Sequence, residues 1–376
     1  MSNVLITLAP AGRFFFGGDN TFEVVKNGKV VNSESSSYIV RSNYFPQQTT
    51  LLGMLRFLIL SHSNAFDKNT QKIVNKDTAR DLIGENSFSV GGKNEFKTIN
   101  CIGTCFVQRK KQTNAKQQSK TNEWETLYFA PKDYDYQVDF GCASVGSFNG
   151  RTLAVPDVYT EIGENRVPYD PKKASESFFL TQGGEKVPYS DVFTEDSRIG
   201  IKKDYKGRTQ DSAFYKQIAF RFSKKDMNDQ YRFAFIADLN EDPKKYDGSV
   251  VLLGGDNSKF VLSTEPTIEL NPKVFWKESV YYKVVLTSNS FVNELVDFDF
   301  AMAETLPFRF LKTSVETKDY NIFSQEASRS GKFELYQSGS VFYFKNKSTL
   351  DVFVKELDNH KEFVQIGYNR YQVSNN

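Results

Sequence analysis

The chain has 376 residues, which is long enough for two ordinary domains, and its 48 basic and 46 acidic side chains give a formal net charge of +2. A charge so near zero excludes a global field that attracts polyanions, so any nucleic-acid surface must be local. The three cysteines and two histidines show neither a disulfide framework nor the spacing of zinc ligands, and we expect no metal and no other cofactor. There is no basic leader and no apolar run long enough to cross a bilayer, so we expect a cytoplasmic protein without membrane contact.

The chain opens with a predicted strand and a loop rich in aromatic rings. Residues 3–8 are β-branched and apolar, which predicts a buried strand. The next loop places three phenylalanines between a cation and two glycines. Aromatic faces beside a cation suit stacking on bases and glycines permit close backbone approach, so the candidate nucleic-acid contacts here are Arg13, Phe14, Gly17 and Gly18. The alternative is a hydrophobic turn that ends in two glycines.

The segment 43–60 predicts a loop that leads into a buried helix. Pro46 holds the residue before it in an extended conformation, and Thr49 or Thr50 can cap the first free N–H groups. The apolar residues 51–60 then continue the helix.

One stripe of this helix is polar, because Thr49, Gly53 and Arg56 follow one another at spacings of four and three residues. Free N–H groups at a helix start, a glycine and a guanidinium one turn later suit an anionic backbone such as phosphate. Side-chain amides beside the helix start can hydrogen-bond base edges, which adds the candidates Asn43, Gln47 and Gln48. The alternative is a capped core helix with one arginine that reaches solvent.

The middle of the chain mixes helices, strands and a polar join. We predict a helix at 76–83, strands at 88–90, 96–107 and 125–129, and a basic hairpin tip at 109–120. The basic run is a solvated loop by default, and contact with RNA phosphates is the alternative. Four prolines lie in 155–195 beside a short amphipathic stretch at 173–180, so we divide the chain into domains 1–190 and 191–376.

The second half alternates strands with turns. We predict strands at 198–201, 214–222, 231–238, 249–253, 259–262, 281–286, 308–311, 332–336, 340–344 and 363–366, with helices at 291–296 and 350–356. Strands that outnumber helices and helices set between strand groups indicate an α+β fold.

Two features of this half are candidate nucleic-acid contacts. A basic cluster contains Arg198, Lys202, Lys203, Lys206 and Arg208 beside one aspartate. Its alternative is an exposed basic strand and turn. Gly254 and Gly255 form a turn that lets the backbone pass close to RNA or to a neighbouring strand.

Four motifs taken together resemble one family, the third subunit of the Cmr complex of type III-B CRISPR systems, a RAMP protein of the group-five kind. They are the phenylalanine and glycine loop at 14–18, the segment 43–56, the segment 198–201 with 207–208 and 214–215, and the segment 252–256. The segments 339–344 and 367–368 add support near the C-terminus. Each motif is weak alone, but their order and spacing cover nearly the whole chain.

The resemblance implies two ferredoxin-like, RRM-like RAMP domains with inserted loops and hairpins. It also implies a non-catalytic role in antiviral defence. Such subunits bind the 5′ tag of the CRISPR RNA, dock onto the large polymerase-cyclase subunit and contact the adjacent backbone RAMP subunit, with the flank of the target RNA as a further contact.

The chain departs from the family pattern at three places. It has Pro10, Ala11 and Gly12 where the family often has an acidic residue, Gln47, Gln48 and Thr49 where it prefers further prolines and a serine, and 367–370 where it usually has Gly-aromatic-Gly. A divergent Csm-type relative with the equivalent capping position is therefore an alternative.

An endoribonuclease on the same fold is a further alternative, because repeat-processing RAMP nucleases need a positioned acid or base, commonly histidine. His62 ends the buried helix and His360 lies in a polar turn, so neither position indicates catalysis. A third class is an adaptor that binds protein neighbours and no RNA.

Overall fold

The computed structural model describes residues 2–17, 25–26, 29–30, 38–111, 124–148, 151–170, 176–203, 206, 209–224, 229–266, 280–293, 296–316 and 328–374. Gly18 and Arg208, most of the basic hairpin tip, and the side chains of Lys202 and Lys203 lie outside the described part.

The described residues form many strands and few helices, which confirms the predicted mixed fold. The helices are α1 Gln48–Ser61, α2 Lys76–Ile83, α3 Tyr189–Val192, α4 Lys347–Asn359 and α5 Lys361–Gln365. The strands are β1 Ser2–Pro10, β2 Val25–Lys26, β3 Lys29–Val30, β4 Tyr38–Arg41, β5 Phe66–Asp67, β6 Lys72–Ile73, β7 Ile99–Ile102, β8 Phe106–Lys111, β9 Glu125–Phe129, β10 Gln137–Phe148, β11 Arg151–Ile162, β12 Asn165–Pro168, β13 Phe178–Leu180, β14 Lys186–Pro188, β15 Phe193–Lys203, β16 Thr209–Phe222, β17 Asp229–Leu239, β18 Val250–Leu252, β19 Lys259–Pro266, β20 Tyr282–Leu286, β21 Phe300–Met302, β22 Thr305–Phe308, β23 Leu311–Lys312, β24 Ser328–Arg329, β25 Phe333–Tyr336, β26 Val341–Phe344 and β27 Tyr371–Ser374.

The largest sheet has nine strands in the order β14-β13-β9-β8-β17-β1-β19-β18, with β7 also paired to β17. Its central strand β1 runs antiparallel to both neighbours, and Leu8 lies opposite Phe233 on one side and Leu262 on the other. Alternate residues of a strand point to the same face, so Val4, Ile6 and Leu8 all enter the core. Leu51, Leu55 and other apolar residues of α1 join the same core cluster.

A second sheet has the order β21-β26-β20-β27. Its core contains Val284 and Phe342 together with Leu350, Phe353 and Leu357 of α4. These three α4 residues are spaced three and four apart, which places them on one face of the helix.

The two sheets repeat one strand order. One path is β8-β17-β1-β19 and the other is β21-β26-β20-β27. If the four strands of each path are numbered by their order in the sequence, both paths read 2-3-1-4 across the sheet, and every neighbouring pair is antiparallel. The first path has a long helix, α1, after its first strand, and the second path has α4 after its third strand.

Strand pairing crosses the predicted division between residues 190 and 191. Strand β1 pairs with β17 and β19, so the large sheet combines residues from both sides of that division. The first repeat of the strand order ends with β19 and the second begins with β20. The proline-rich join that the sequence indicated is therefore an excursion within the first repeat, because the strands before and after it share one sheet.

Several short elements differ from the prediction. The amphipathic stretch at 173–180 ends in a strand, Phe178–Leu180, which lies between β9 and β14. Lys361–Gln365 is a helix where the last strand was predicted. No strand lies at 88–90, and the described residues at 291–296 are not helical. Short apolar runs fit either period, and only the tertiary partners decide between them. Among the described residues, no helix combines the length and apolar character needed to cross a bilayer.

Candidate functional site

The start of α1 is held by a residue from the other end of the chain. The helix begins at Gln48, and its N-cap residue Gln47 is extended and makes no side-chain capping bond. The Gln48 N–H donates to the Tyr368 hydroxyl oxygen at 3.2 Å, and Thr49 bonds to the same oxygen through its N–H and its side chain. The prediction that Thr49 or Thr50 caps the helix is wrong, and the free N–H groups proposed for phosphate already have a partner at Gln48 and Thr49.

The Gln48 side chain is part of this junction. It is 5% exposed, and its Nε2 donates to the carbonyl oxygens of Gly103 and Ile366, both at 2.8 Å. The prediction that Gln48 contacts a base edge is wrong, because both of its amide hydrogens are used inside the protein.

Gly367 makes this contact possible. Its φ is +89°, and a Cβ there would lie 2.1 Å from Gln48 Nε2 and 2.6 Å from the Gly103 carbonyl carbon. The Thr104 hydroxyl donates to the Gly367 carbonyl oxygen at 3.0 Å. Only glycine fits this backbone conformation and this space.

The predicted polar stripe of α1 is open at Gly53 but closed at Arg56. Gly53 is exposed, and nothing lies within 4 Å of the position its Cβ would take. Arg56 is 5% exposed and its Nη2 donates to the Gly84 carbonyl oxygen at 3.3 Å. The open stripe runs instead from half-buried Thr49 through Gly53 to Phe57, which is 39% exposed. The predicted phosphate contact of Arg56 is therefore wrong for this structure.

The phenylalanine loop is part of the core. Phe14 is 0% and Phe16 is 3% exposed, and their rings lie 5.1 Å apart in a stacked arrangement. The stacking role predicted for Phe14 is wrong, because no face of its ring is free, and the alternative of a hydrophobic turn is confirmed. Gly17 at the end of the described loop is exposed.

Gly254 and Gly255 approach this loop and not an open surface. Gly255 N–H donates to the Phe15 carbonyl oxygen at 2.7 Å, and a Cβ on Gly254, whose φ is +84°, would lie 2.3 Å from that oxygen. Arg13 lies between Asp196 and Asp256 at 3.9 and 3.7 Å, so its charge already faces carboxylates. The glycine turn lets the backbone pass close to the phenylalanine loop, which it meets through the isolated bridge between Phe15 and Gly255.

A cleft of about 1070 Å³ lies where the loop before α1 meets residues of both sheets. Asn43 is exposed and Gln47 half-buried in its wall, and among the described residues neither side-chain amide has a hydrogen-bond partner. Aromatic rings line the cleft at Tyr44, Phe45, Phe129, Tyr134, Tyr136, Tyr169, Phe178, Tyr189, Phe300 and Tyr368. The cleft thus combines free amides with apolar faces, the pair of features that small ligands and bases require.

The cleft wall is not basic. Its charged residues are two cations and four carboxylates, namely Arg41, Lys132, Asp135, Asp157, Glu176 and Glu304. Lys132 pairs with Glu304 at 3.1 Å, and Arg41 pairs with Glu195 at 2.5 Å. This wall favours uncharged groups over phosphates.

Of the predicted basic cluster, the side chains of Arg198 and Lys206 are described, and both residues are exposed. Arg198 is the one that lies on a strand. It is exposed on β15, opposite Gln217 of β16, in a long hairpin that also pairs with β4. Strand β4 leads directly into the loop that carries Asn43, so this hairpin adjoins the edge of the cleft.

Both histidines make structural contacts. The His62 Nδ1 lies 3.0 Å from the Leu58 carbonyl oxygen, and His360 Nε2 lies 2.9 Å from a Glu356 oxygen. Neither lines the cleft. Within the described ranges, no three His, Cys, Asp or Glu side chains come together as metal ligands would.

A buried ion pair that sequence reasoning missed stands beside the cleft. Lys283 Nζ lies 2.8 Å from Asp133 Oδ2, and the Tyr343 hydroxyl donates to the same oxygen at 2.5 Å. The Lys283 and Asp133 side chains are 3% and 5% exposed. Burial and the Asp133 charge raise the pKa of Tyr343, so it stays a neutral donor. The pair ties the segment after β9 to the second sheet, and no local pattern signals it.

The comparisons with known proteins concern one family and one assembly. The family model described as CRISPR-associated protein (Cas_Cmr3) matches residues 172–373, just over half of the chain. Among solved structures, the chain is similar to one in the cryo-EM structure of the Type III-B Cmr-beta bound to cognate target RNA, with 14% identity, coverage of 98% of this chain and 96% of that chain, and a TM-score of 0.46. A second similar chain comes from the Type III-B Cmr-beta bound to cognate target RNA and AMPPnP, state 1, with 13% identity, coverage of 98% and 96%, and a TM-score of 0.45. A comparison with curated proteins finds no match.

Proposed function

The chain belongs to the Cmr3 family of CRISPR-associated proteins, and from this premise we propose that it is a non-catalytic, cytoplasmic subunit of a type III-B RNA-guided effector complex. In this proposal it binds the 5′ tag of the CRISPR RNA and links the large polymerase-cyclase subunit to the RAMP backbone. The observation that carries the RNA-binding part is the cleft with the free amides of Asn43 and Gln47 in its wall. The family match favours the Cmr type over the Csm-type alternative.

The chemistry of the cleft suits splayed bases. Proteins read single-stranded RNA by stacking unpaired bases on rings and by hydrogen bonds to base edges. The amides of Asn43 and Gln47 each offer donors and an acceptor, and rings such as Tyr134 and Phe178 stand in the same wall. Because the wall holds more carboxylates than cations, we place the phosphates outside it.

The basic hairpin of β15 and β16 is the surface we propose for the phosphates. Arg198 is exposed there, and the sequence of the hairpin adds Lys202, Lys203 and Arg208. Phosphate contacts of this kind hold an RNA in register without reading its sequence. Loss of one such cation should weaken binding of all tag sequences alike and lower the salt dependence.

The repeated strand order supports two ferredoxin-like domains. A ferredoxin-like sheet is antiparallel with its four strands in the order two, three, one, four, and both sheets of this chain have that order. Among the described residues, no long helix follows the third strand of the first repeat, and none follows the first strand of the second repeat.

The non-catalytic part rests on the two histidines. Each ring contacts groups of its own surroundings, and neither histidine belongs to the cleft wall or to the hairpin of β15 and β16 that we propose for the phosphates. Incubation of the purified chain with repeat RNA in a chelator tests this. A cut at one position would contradict the proposal and favour the endoribonuclease.

A double variant tests the cleft. In the assembled complex, Asn43→Ala with Gln47→Ala should reduce the ratio of affinities for the cognate tag and an altered tag by about 5- to 100-fold, the worth of two net hydrogen bonds. The control is Asn165→Ala, which removes an exposed amide outside the cleft wall. Equal discrimination in the double variant and the wild type would remove the cleft from the reading of the tag.

A further inference from the structure

We propose that Tyr368 is a positioning residue that sets the loop carrying Asn43 and Gln47 through the first turn of α1, so the segment between α5 and β27 controls the reading site. The inference rests on the proposed function for its RNA readout. Its structural part stands on the contacts between Tyr368, Gly367 and Gln48.

The first step is the unusual cap. A helix start leaves N–H groups without partners inside the helix, and a nearby Ser, Thr, Asp or Asn side chain normally accepts from them. Gln47 does not do so here, and the acceptor is the Tyr368 hydroxyl, 320 residues away from Gln48 in sequence. The position of the first turn therefore depends on where the segment between α5 and β27 holds Tyr368.

The second step is that the junction of Tyr368, Gly367 and Gln48 is buried and tightly packed. Tyr368 is 1% exposed, its ring packs against Phe308 and Phe363, and burial raises the pKa of its hydroxyl, which stays neutral. The Gln48 amide ties the same turn to Ile366 and Gly103. The three segments can thus hold only one mutual arrangement at this point.

The third step connects the junction to the cleft. Gln47 directly precedes Gln48, the first helical residue, and Asn43 lies four residues before Gln47. Gly367 and Tyr368 themselves lie in the cleft wall beside Gln47. A shift of the first turn therefore moves both free amides relative to the rest of the wall.

The central variant is Tyr368→Phe, which removes the hydroxyl and keeps the buried ring. Its matched control is Tyr371→Phe, which lies three residues further on in β27 and removes a hydroxyl that donates to Asp358 at 2.9 Å. The first measurement is hydrogen exchange of the full chain. We expect the first-turn amides of α1 to exchange about tenfold faster in Tyr368→Phe, which corresponds to about 1.4 kcal/mol, and to be unchanged in Tyr371→Phe.

The second measurement is the ratio of affinities for cognate and altered tag RNA in the assembled complex, at a temperature where every variant is folded. A merely structural role lowers both affinities alike and leaves the ratio unchanged. A positioning role lowers the ratio, and we expect a loss of about two- to tenfold in Tyr368→Phe and none in Tyr371→Phe.

The outcomes separate the two proposals. If the wild type does not discriminate between the tags, the proposed tag reading fails, and hydrogen exchange still decides the role of Tyr368. Unchanged exchange at the first turn, or faster exchange with an unchanged ratio in a discriminating complex, overturns the positioning role. Gly367→Ala provides a second variant, because its Cβ would press on Gln48 and should speed exchange at the same amides.

Discussion

Breaking the Lys283–Asp133 ion pair should cost more stability than breaking any exposed pair. The two side chains are 3% and 5% exposed and 2.8 Å apart, and Tyr343 donates to the same carboxylate. Asp133→Ala leaves the Lys283 ammonium buried without a counter-charge. Loss of one partner of such a pair costs about 3–5 kcal/mol, a large part of the roughly 5–15 kcal/mol that keeps a protein folded.

Urea unfolding followed by circular dichroism measures this cost. The matched control is Glu195→Ala, which breaks the pair with Arg41 at 2.5 Å, where the side chains are 50% and 53% exposed, and should cost at most about 1 kcal/mol. The double variant Lys283→Met with Asp133→Asn removes both charges and should recover most of the loss, because a buried pair gains little over neutral side chains. Equal losses in Asp133→Ala and Glu195→Ala would refute the reasoning that burial makes this pair costly to break.

Three further predictions follow from the same structure. Gly53→Ala should stabilise the protein by about 0.5–1 kcal/mol, because the new Cβ meets open space on a helix. Gly254→Ala should destabilise the protein by about 1–3 kcal/mol, because the φ of Gly254 is +84° and the new Cβ would strike Phe15. Thermal unfolding of the two variants compares them, and a stabilising Gly254→Ala would contradict the close approach. Arg56→Glu should lower the free energy of unfolding by about 2–4 kcal/mol, because it replaces a buried donor to Gly84 with a carboxylate, and near-native stability in urea would show that Arg56 is not held inside. Cys105 is 4% exposed and burial raises the pKa of its thiol, so a thiol reagent should label it in denaturant and not in the native protein; rapid native labelling, with the variant Cys105→Ala as the control, would contradict this burial.

Local patterns predicted the elements whose causes are local. The helix Lys76–Ile83 has the predicted bounds, because Asn75 caps it through Thr78 and its apolar residues share one face. Strand β1 follows from its run of β-branched and apolar residues, and the existence of α1 follows from its leucines. These features need no knowledge of distant parts of the chain.

The candidate site was predicted less well because its contacts are distant in sequence. Helical spacing placed Arg56 on the same stripe as Gly53. Arg56 and Phe57, which follow Gly53 by three and four residues, lie on opposite sides of that stripe, and of these two only Phe57 is exposed. The direction of Arg56 depends on the Gly84 carbonyl and that of Gln48 on Gly103 and Ile366. Asn43 and Gln47 were predicted as free amides and lie in the cleft wall, and their contact with RNA stays a prediction.

The central place of β1 has a consequence for how the protein is made. Strand β1 leaves the ribosome before its partners β17 and β19, which lie more than 200 residues further along the chain. At about 5–20 residues per second, β1 waits roughly 10–45 s with both edges unpaired, a state that invites aggregation. Until synthesis has passed residue 266, the nascent chain should therefore need a chaperone to keep β1 from aggregating, unless its β-branched segments stay apart by themselves.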